Sequence, residues 1–101
     1  MSEDINAIKS RAFSVLSTGA SPVWGAPLET EFAITNMIIW NKGGEDIEWS
    51  YDGQVVDGKL ASSAPPLTFV QMPDGVRKIR TRSVTGGKSV WVWAWQRGAI
   101  G

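Results

Sequence analysis

The sequence predicts an all-β protein: an antiparallel β-sandwich or jelly-roll-like body preceded by a short N-terminal helix or an extended arm. Three observations carry this expectation. Six or seven short segments alternate apolar and polar residues with period two. Gly-Gly, Asp-Gly and Pro-Asp-Gly turn signals punctuate them at the spacing of short strands. The length of 101 residues holds one domain and not two. Area scaling takes such a chain from about 16,000 Å² unfolded to about 5,600 Å² folded, enough burial for one core without covalent staples.

The chain divides into an N-terminal segment, residues 1–28, and a β-domain, residues 29–101. In the first part Ser2 is placed to cap a helix, with Glu3 and Asp4 in its first turn. Ile5, Ile8, Ala12, Val15 and Leu16 follow at helical spacing, and Ser17-Thr18-Gly19 ends the run. Ser21-Pro22 to Ala26-Pro27 is extended, with Trp24 between the prolines. A helix and an arm laid on the body or on a neighbouring subunit both suit this segment.

Glu31–Asn41 alternates with Phe32, Ile34, Ile38 and Trp40 on one face, and Lys42-Gly43-Gly44-Glu45 reads as a tight turn. That turn sets a hairpin with Trp40 opposite Ile47, Ile38 opposite Trp49 and Asn36 opposite Tyr51, which makes one face apolar and puts Trp40 and Trp49 in the core. Asp52-Gly53 and Asp57-Gly58 bracket a short strand, Gln54–Val56. After the polar link Ala61–Pro66 come a strand, Leu67–Gln71, and the turn Pro73-Asp74-Gly75. A last hairpin about Gly86-Gly87 sets Arg82 opposite Trp91, Arg80 opposite Trp93 and Lys78 opposite Trp95. Such a ladder of cations on indoles is worth about 0.5–1 kcal/mol per exposed contact.

Composition excludes most small-enzyme chemistry. There is no cysteine and no histidine, so no disulfide, thiolate or imidazole metal site, and no Ser/His or Cys/His pair. No catalytic residue, metal ligand or cofactor site is assigned, and the chain is expected not to be an enzyme. Thr85-Gly86-Gly87-Lys88-Ser89 imitates the end of a phosphate-binding loop. The motif's first glycine is replaced by Arg82, however, and a strand follows where a helix is needed. Asp52, Asp57 and Asp74 each precede glycine, the commonest turn dipeptide, and lack EF-hand spacing. The carboxylate pairs Glu45/Glu48 and Asp52/Asp57 have no room for a glycosidase cleft in so small a body.

The formal charge is zero, against a generic nucleic-acid binder. Its distribution is uneven: seven acids and one base lie between Glu29 and Asp57, and six bases and no acid between Arg77 and Arg97. Either the opposite charges meet within the sheet, or they make a bipolar surface that docks on copies of itself. No apolar run reaches the about 18 residues of a membrane span, and Met1-Ser2-Glu3-Asp4 is the reverse of a secretory n-region. The expected place of use is the cytoplasm, or a particle assembled there.

Six tryptophans in 101 residues are more than one small core requires, so at least one is expected to serve recognition. Trp91, Trp93 and Trp95, with Lys78, Arg80, Arg82 and Trp24, form the candidate interface set, since Trp and Arg are the usual anchors of protein contacts. Packing between sheets over the Arg and Lys stems is a second reading of the three indoles. The third is a sugar-stacking platform, with Tyr51 and Asp52 adding polar contacts.

The segment Asn36–Leu60, with Asn41, Gly44, Ile47-Glu48-Trp49-Ser50-Tyr51-Asp52-Gly53, Gly58 and Leu60, resembles small β-sandwich accessory proteins of tailed-bacteriophage virions. The closing Val90-Trp91-Val92-Trp93-Ala94-Trp95 is similar to their last strand. The resemblance implies a non-enzymatic virion structural protein assembled in the host cytoplasm. It would be a capsid decoration (cement) subunit or a tail or connector component, acting as a homo-oligomer on capsid or tail proteins, with no nucleic-acid or membrane partner. The alternative is a carbohydrate-binding module.

Overall fold

The structure is a computed structural model that describes residues 10–62 and 67–97. Its elements are β1 (Arg11–Ser17), β2 (Gly19–Ala20), β3 (Leu28–Asn41), β4 (Ile47–Ser50), β5 (Gly58–Leu60), β6 (Leu67–Ser83) and β7 (Ser89–Trp95). All are strands, so the protein is all-β among the described residues. They join in the order β1-β7-β3-β6-β4-β5, every pair antiparallel, with β2 added in parallel at Arg82 and Ser83 of β6.

The 17-residue β6 organises the molecule. From Leu67 to Ile79 it pairs with β3, and β7 and β1 extend that side into a four-stranded half. Its last residues, Arg80–Ser83, pair with β4, which β5 flanks in a smaller half. One core draws on both: Met37, Ile39, Val90, Val92 and Leu16 from the larger half meet Ile47, Trp49 and Leu60 from the smaller. Ile34, Met37, Ile39, Ile79, Val90 and Val92 are sealed from solvent, as the alternation in β7 requires of Val90 and Val92.

Several sequence expectations are corrected here. The helical pattern over Ala12, Val15 and Leu16 is strand β1, paired along its length with β7. Both periodicities fit this stretch, and a partner strand that accepts Ala12, Ser14 and Leu16 against Ala94, Val92 and Val90 decides between them. Ser2, Glu3, Asp4, Ile5 and Ile8 lie outside the described residues.

The hairpin of Glu31–Asn41 with Ile47–Tyr51 does not form. β3 pairs with β6 and β7, whereas β4 pairs with β5 and β6, so Gly43-Gly44 carries the chain from one half to the other. Gly44 does have the positive φ of a tight turn, +80°. Gly43 is needed for space, because a Cβ there would lie 2.4 Å from the Lys88 Cβ. Asn41 fastens the crossing: its Nδ2 donates to the carbonyls of Glu45 (2.6 Å) and Leu60 (3.3 Å), and its Oδ1 accepts from the Gly43 amide (3.1 Å).

The last hairpin fails for the same reason. Gly86 and Gly87 both have positive φ, yet they lead from the small half to the large one. The Gly87 amide donates to the Thr18 carbonyl at 2.7 Å, and β7 lies between β1 and β3. The Pro73-Asp74-Gly75 turn is a bulge inside the continuous strand β6, where residues 72–75 face the single Thr35 across from them. Gln54–Val56 is not a strand. Asp52 Oδ1 gathers the amides of Gln54 and Val55 into a bend, and the strand begins at Gly58.

Candidate functional site

The large half has two apolar faces and the core covers one. On the other, the register lines side chains up in rows across β1, β7, β3 and β6. Val15, Trp91, Trp40 and Leu67 form one row, and Phe13, Trp93, Ile38 and Phe69 the next. A third row, Arg11, Trp95, Asn36 and Gln71, adds one indole flanked by polar residues. Phe13 is 52% exposed and Phe69 51%, with the tryptophans half-buried among them.

The rings pack on one another. Phe13 lies 5.1 Å from Trp93 and meets Trp91 edge-on at 5.6 Å. Trp40 meets Trp91 edge-on at 6.0 Å and lies 6.3 Å from Trp93, and Phe69 leans on Trp95 at 5.9 Å. Such offset and edge-on geometry follows the quadrupoles of the rings. Lys42 closes one end, its Nζ 4.2 Å from the Trp40 ring and 4.4 Å from that of Trp91. From strand spacing and rise the patch covers on the order of 400 Å² in projection. That matches the largest apolar patch of an ordinary monomer, the size at which such patches serve binding. A shallow apolar depression crosses it, lined by Phe13, Ile38, Trp40, Leu67, Trp93 and Trp95.

The candidate interface residues therefore separate into two places. Trp91, Trp93 and Trp95 share the outer face. Lys78, Arg80 and Arg82 are on the far half of β6 and make no ladder with them, because β4 and β3 occupy the pairing edges that a ladder would need. Trp24 belongs with the arginines. The Arg82 guanidinium stacks 4.2 Å over the Trp24 ring, its Nε donates to Glu48 at 2.7 Å, and its Nη1 donates to the Pro22 carbonyl at 3.0 Å. Arg80 donates to the Gly25 carbonyl at 3.3 Å. Glu48 also faces Lys59 at 3.7 Å, so acidic β4 and the basic end of β6 meet in the sheet.

This cluster fastens the 21–25 loop to the body. Arg82→Ala is expected to cost about 2 kcal/mol, the sum of a charge-assisted hydrogen bond and a cation–π contact partly withdrawn from water. Arg82→Lys should recover little of it, since the bond to Glu48, the bond to Pro22 and the stack all use the planar fork. Urea denaturation of both variants checks the loss and the missing rescue.

Tyr51 and Asp52 are on the opposite side of the sheet from the three indoles. Tyr51 packs against the core, and its hydroxyl accepts from Trp49 Nε1 at 3.3 Å. Burial, outweighing that bond, pushes its pKa up. Asp52 is a turn former: amide bonds from Val55 and Gln54 and the Ser50 hydroxyl hold its carboxyl below its ordinary range. The structure thus does not bring the sugar-contact set together. Among the described residues no group of three or more His, Cys, Asp or Glu side chains gathers to hold a metal.

Of the aromatic face, sequence reasoning found the three tryptophans of β7 and missed Phe13, Ile38, Trp40, Phe69 and the Lys42 cap. The signal for Phe13 and Val15 was their period-two alternation with Leu16. For Trp40 and Ile38 there was no signal, because Met37 and Ile39 on the other side of β3 are equally apolar.

No protein-family model matches the chain, and no curated protein or solved structure matches it.

Proposed function

We propose that this protein is a non-enzymatic structural subunit that works by docking its aromatic sheet face onto other protein surfaces, in the virion of a tailed bacteriophage. In this proposal it is a capsid decoration (cement) subunit in the first place and a tail or connector component in the second. Its body is a β-sandwich in which the two halves of the sheet close over one core. The observation that carries the docking function is the partly exposed aromatic face of Phe13, Trp40, Trp91, Trp93 and Phe69, packed ring on ring across four strands. A pre-ordered aromatic patch loses little side-chain entropy on binding, which is why such residues dominate interface energetics. The virion context is supported by the pattern of Asn36–Leu60 and Val90–Trp95.

The test is particle assembly from a genome carrying Trp93→Ser with Phe69→Ser. Loss of two anchors is expected to lower the protein's occupancy on purified particles at least tenfold, the ratio that about 1.4 kcal/mol represents. Val84→Ser, at an exposed position off the face, should leave occupancy unchanged. Wild-type occupancy by the double variant would sink the proposal.

The carbohydrate-binding reading keeps the partly exposed indoles in its favour. Against it, Trp91 and Trp93 are inclined by 56° and do not form a flat platform, and Tyr51 and Asp52 lie elsewhere. A shift of tryptophan fluorescence on titration with glycan would restore it.

A further inference from the structure

We propose that β1 is a homodimerisation edge: two copies of this chain pair antiparallel through Arg11–Ser17, about a two-fold axis at Ser14. The proposal concerns the backbone edge of the sheet and stands whether or not the aromatic face docks as described above.

β1 ends the strand order, and among the described residues β7 is its one strand neighbour. The phase of its hydrogen bonds is fixed at both ends. Gln96 donates to the Ser10 carbonyl at 3.0 Å, and Thr18 donates to the Lys88 carbonyl at 2.9 Å. The intervening register is unbroken, so the even-numbered residues exchange bonds with β7. The amides and carbonyls of Arg11, Phe13 and Val15 consequently point away from β7, where no described strand meets them, while the Ser17 carbonyl lies against Gly25, on which a Cβ would sit 2.3 Å from it.

Protected edges are short, bulged or carry lysine or proline. The opposite edge, β5, is three residues long and presents Lys59 with its side chain 75% exposed. β1 has seven residues, no bulge, no proline and no lysine.

What fits this edge is its own copy. About Ser14 the strand is self-complementary. Phe13 falls opposite the partner's Val15 on the outer face, an aromatic against a β-branched side chain. Ala12 falls opposite the partner's Leu16 on the core side, small against large. Arg11, the one charge of the strand, falls opposite the partner's Ser17 and meets no like charge. The bonded pairs of this register are those of the odd-numbered residues, and the central pair of Phe13 with the partner's Val15 uses backbone groups that meet no described strand. Pairing makes one sheet of the two four-stranded halves and sets the two aromatic faces side by side, with Phe13 of each copy at the seam.

A chain without cysteine allows a direct test of the register. Ser14 opposite Ser14 is a non-bonded antiparallel pair with Cα atoms about 4.5 Å apart, within the range a disulfide spans. Ser14→Cys should therefore give a covalent dimer on mild oxidation. Ala12→Cys, displaced by about 13 Å from its copy along the strand, should stay monomeric on the same non-reducing gel. Val15→Pro removes an amide hydrogen that β7 does not use, so the sheet keeps its internal ladder while the edge loses a donor. Wild type is expected to sediment at twice its 11.0 kDa, and Val15→Pro at the single mass with an unchanged circular dichroism spectrum. Should Val15→Pro fail to fold, the two cysteine variants decide. A monomeric wild type, or equal crosslinking of Ser14→Cys and Ala12→Cys, overturns the proposal and leaves the docking function untouched.

Discussion

Gly58→Ala is expected to destabilise the protein by about 3 kcal/mol or more, the upper end of what overpacking a core costs. Gly58 faces Trp49 across the β4–β5 pair. The indole lies flat over the bare Cα, and a Cβ there would sit 2.1 Å from Cζ2 and 2.3 Å from Cε2. To restore contact distance the ring must retreat by roughly 1 Å or more. Trp49 has nowhere to go, because it is 5% exposed, packed with Ile47 and Leu60, and held at Nε1 by Tyr51. Chemical denaturation measures the loss. A double-mutant cycle with Trp49→Leu should remove most of the penalty, since the clash is with that ring alone. A cost below about 1 kcal/mol would mean that the ring does not lie where we place it.

Asn41→Ala is expected to cost about 3 kcal/mol, which for a domain of this length lowers the midpoint of thermal unfolding by about 15 °C. The residue is buried where the chain leaves β3 for the smaller half. Truncation strands the carbonyls of Glu45 and Leu60 and the amide of Gly43, which between them fix the turn and tie β5 to it. Asn41→Asp keeps the acceptor for Gly43 and loses both donated bonds, so it should recover only a minor part. Calorimetry on the two variants separates the donor from the acceptor contributions. Full stability in either would show that water replaces these bonds and that the crossing does not depend on them.

What was legible in the sequence was local. Val90–Trp95 alternates because one side faces the core and the other does not, and the structure keeps that alternation. Of the glycines in the turn signals, 44, 53, 75, 86 and 87 have positive φ, whereas Gly43 and Gly58 do not. Trp49 is in the core as expected, although the hairpin that placed it there does not form.

Partner choice was not legible. A Gly-Gly dipeptide supplies the same dihedral freedom to a hairpin and to a crossing between halves, and the residues that decide, Asn41 and Thr18, act through bonds to distant segments. The inner face of β3 was misassigned because the strand is apolar on both sides. Its alternation carries no polar face to mark the exterior, and the β6 bulge opposite Thr35 shifts the pairing register between Ile34 and Asn36. The aromatic face was half legible for the same reason: an uncovered apolar surface has the sequence signature of a second core.

The place of β7 has a consequence for how the chain is made. It is the last strand described, yet it lies between β1 and β3, both of which precede it in the chain. Until it emerges, both strands have an open side and the inner residues Leu16, Met37 and Ile39 have nothing from β7 to pack on. The larger half therefore cannot be completed as the chain grows. β1 and β3 can be joined through β7 only once Ser89–Trp95 has been made, so until then the edges they offer it are unpaired and open to other chains.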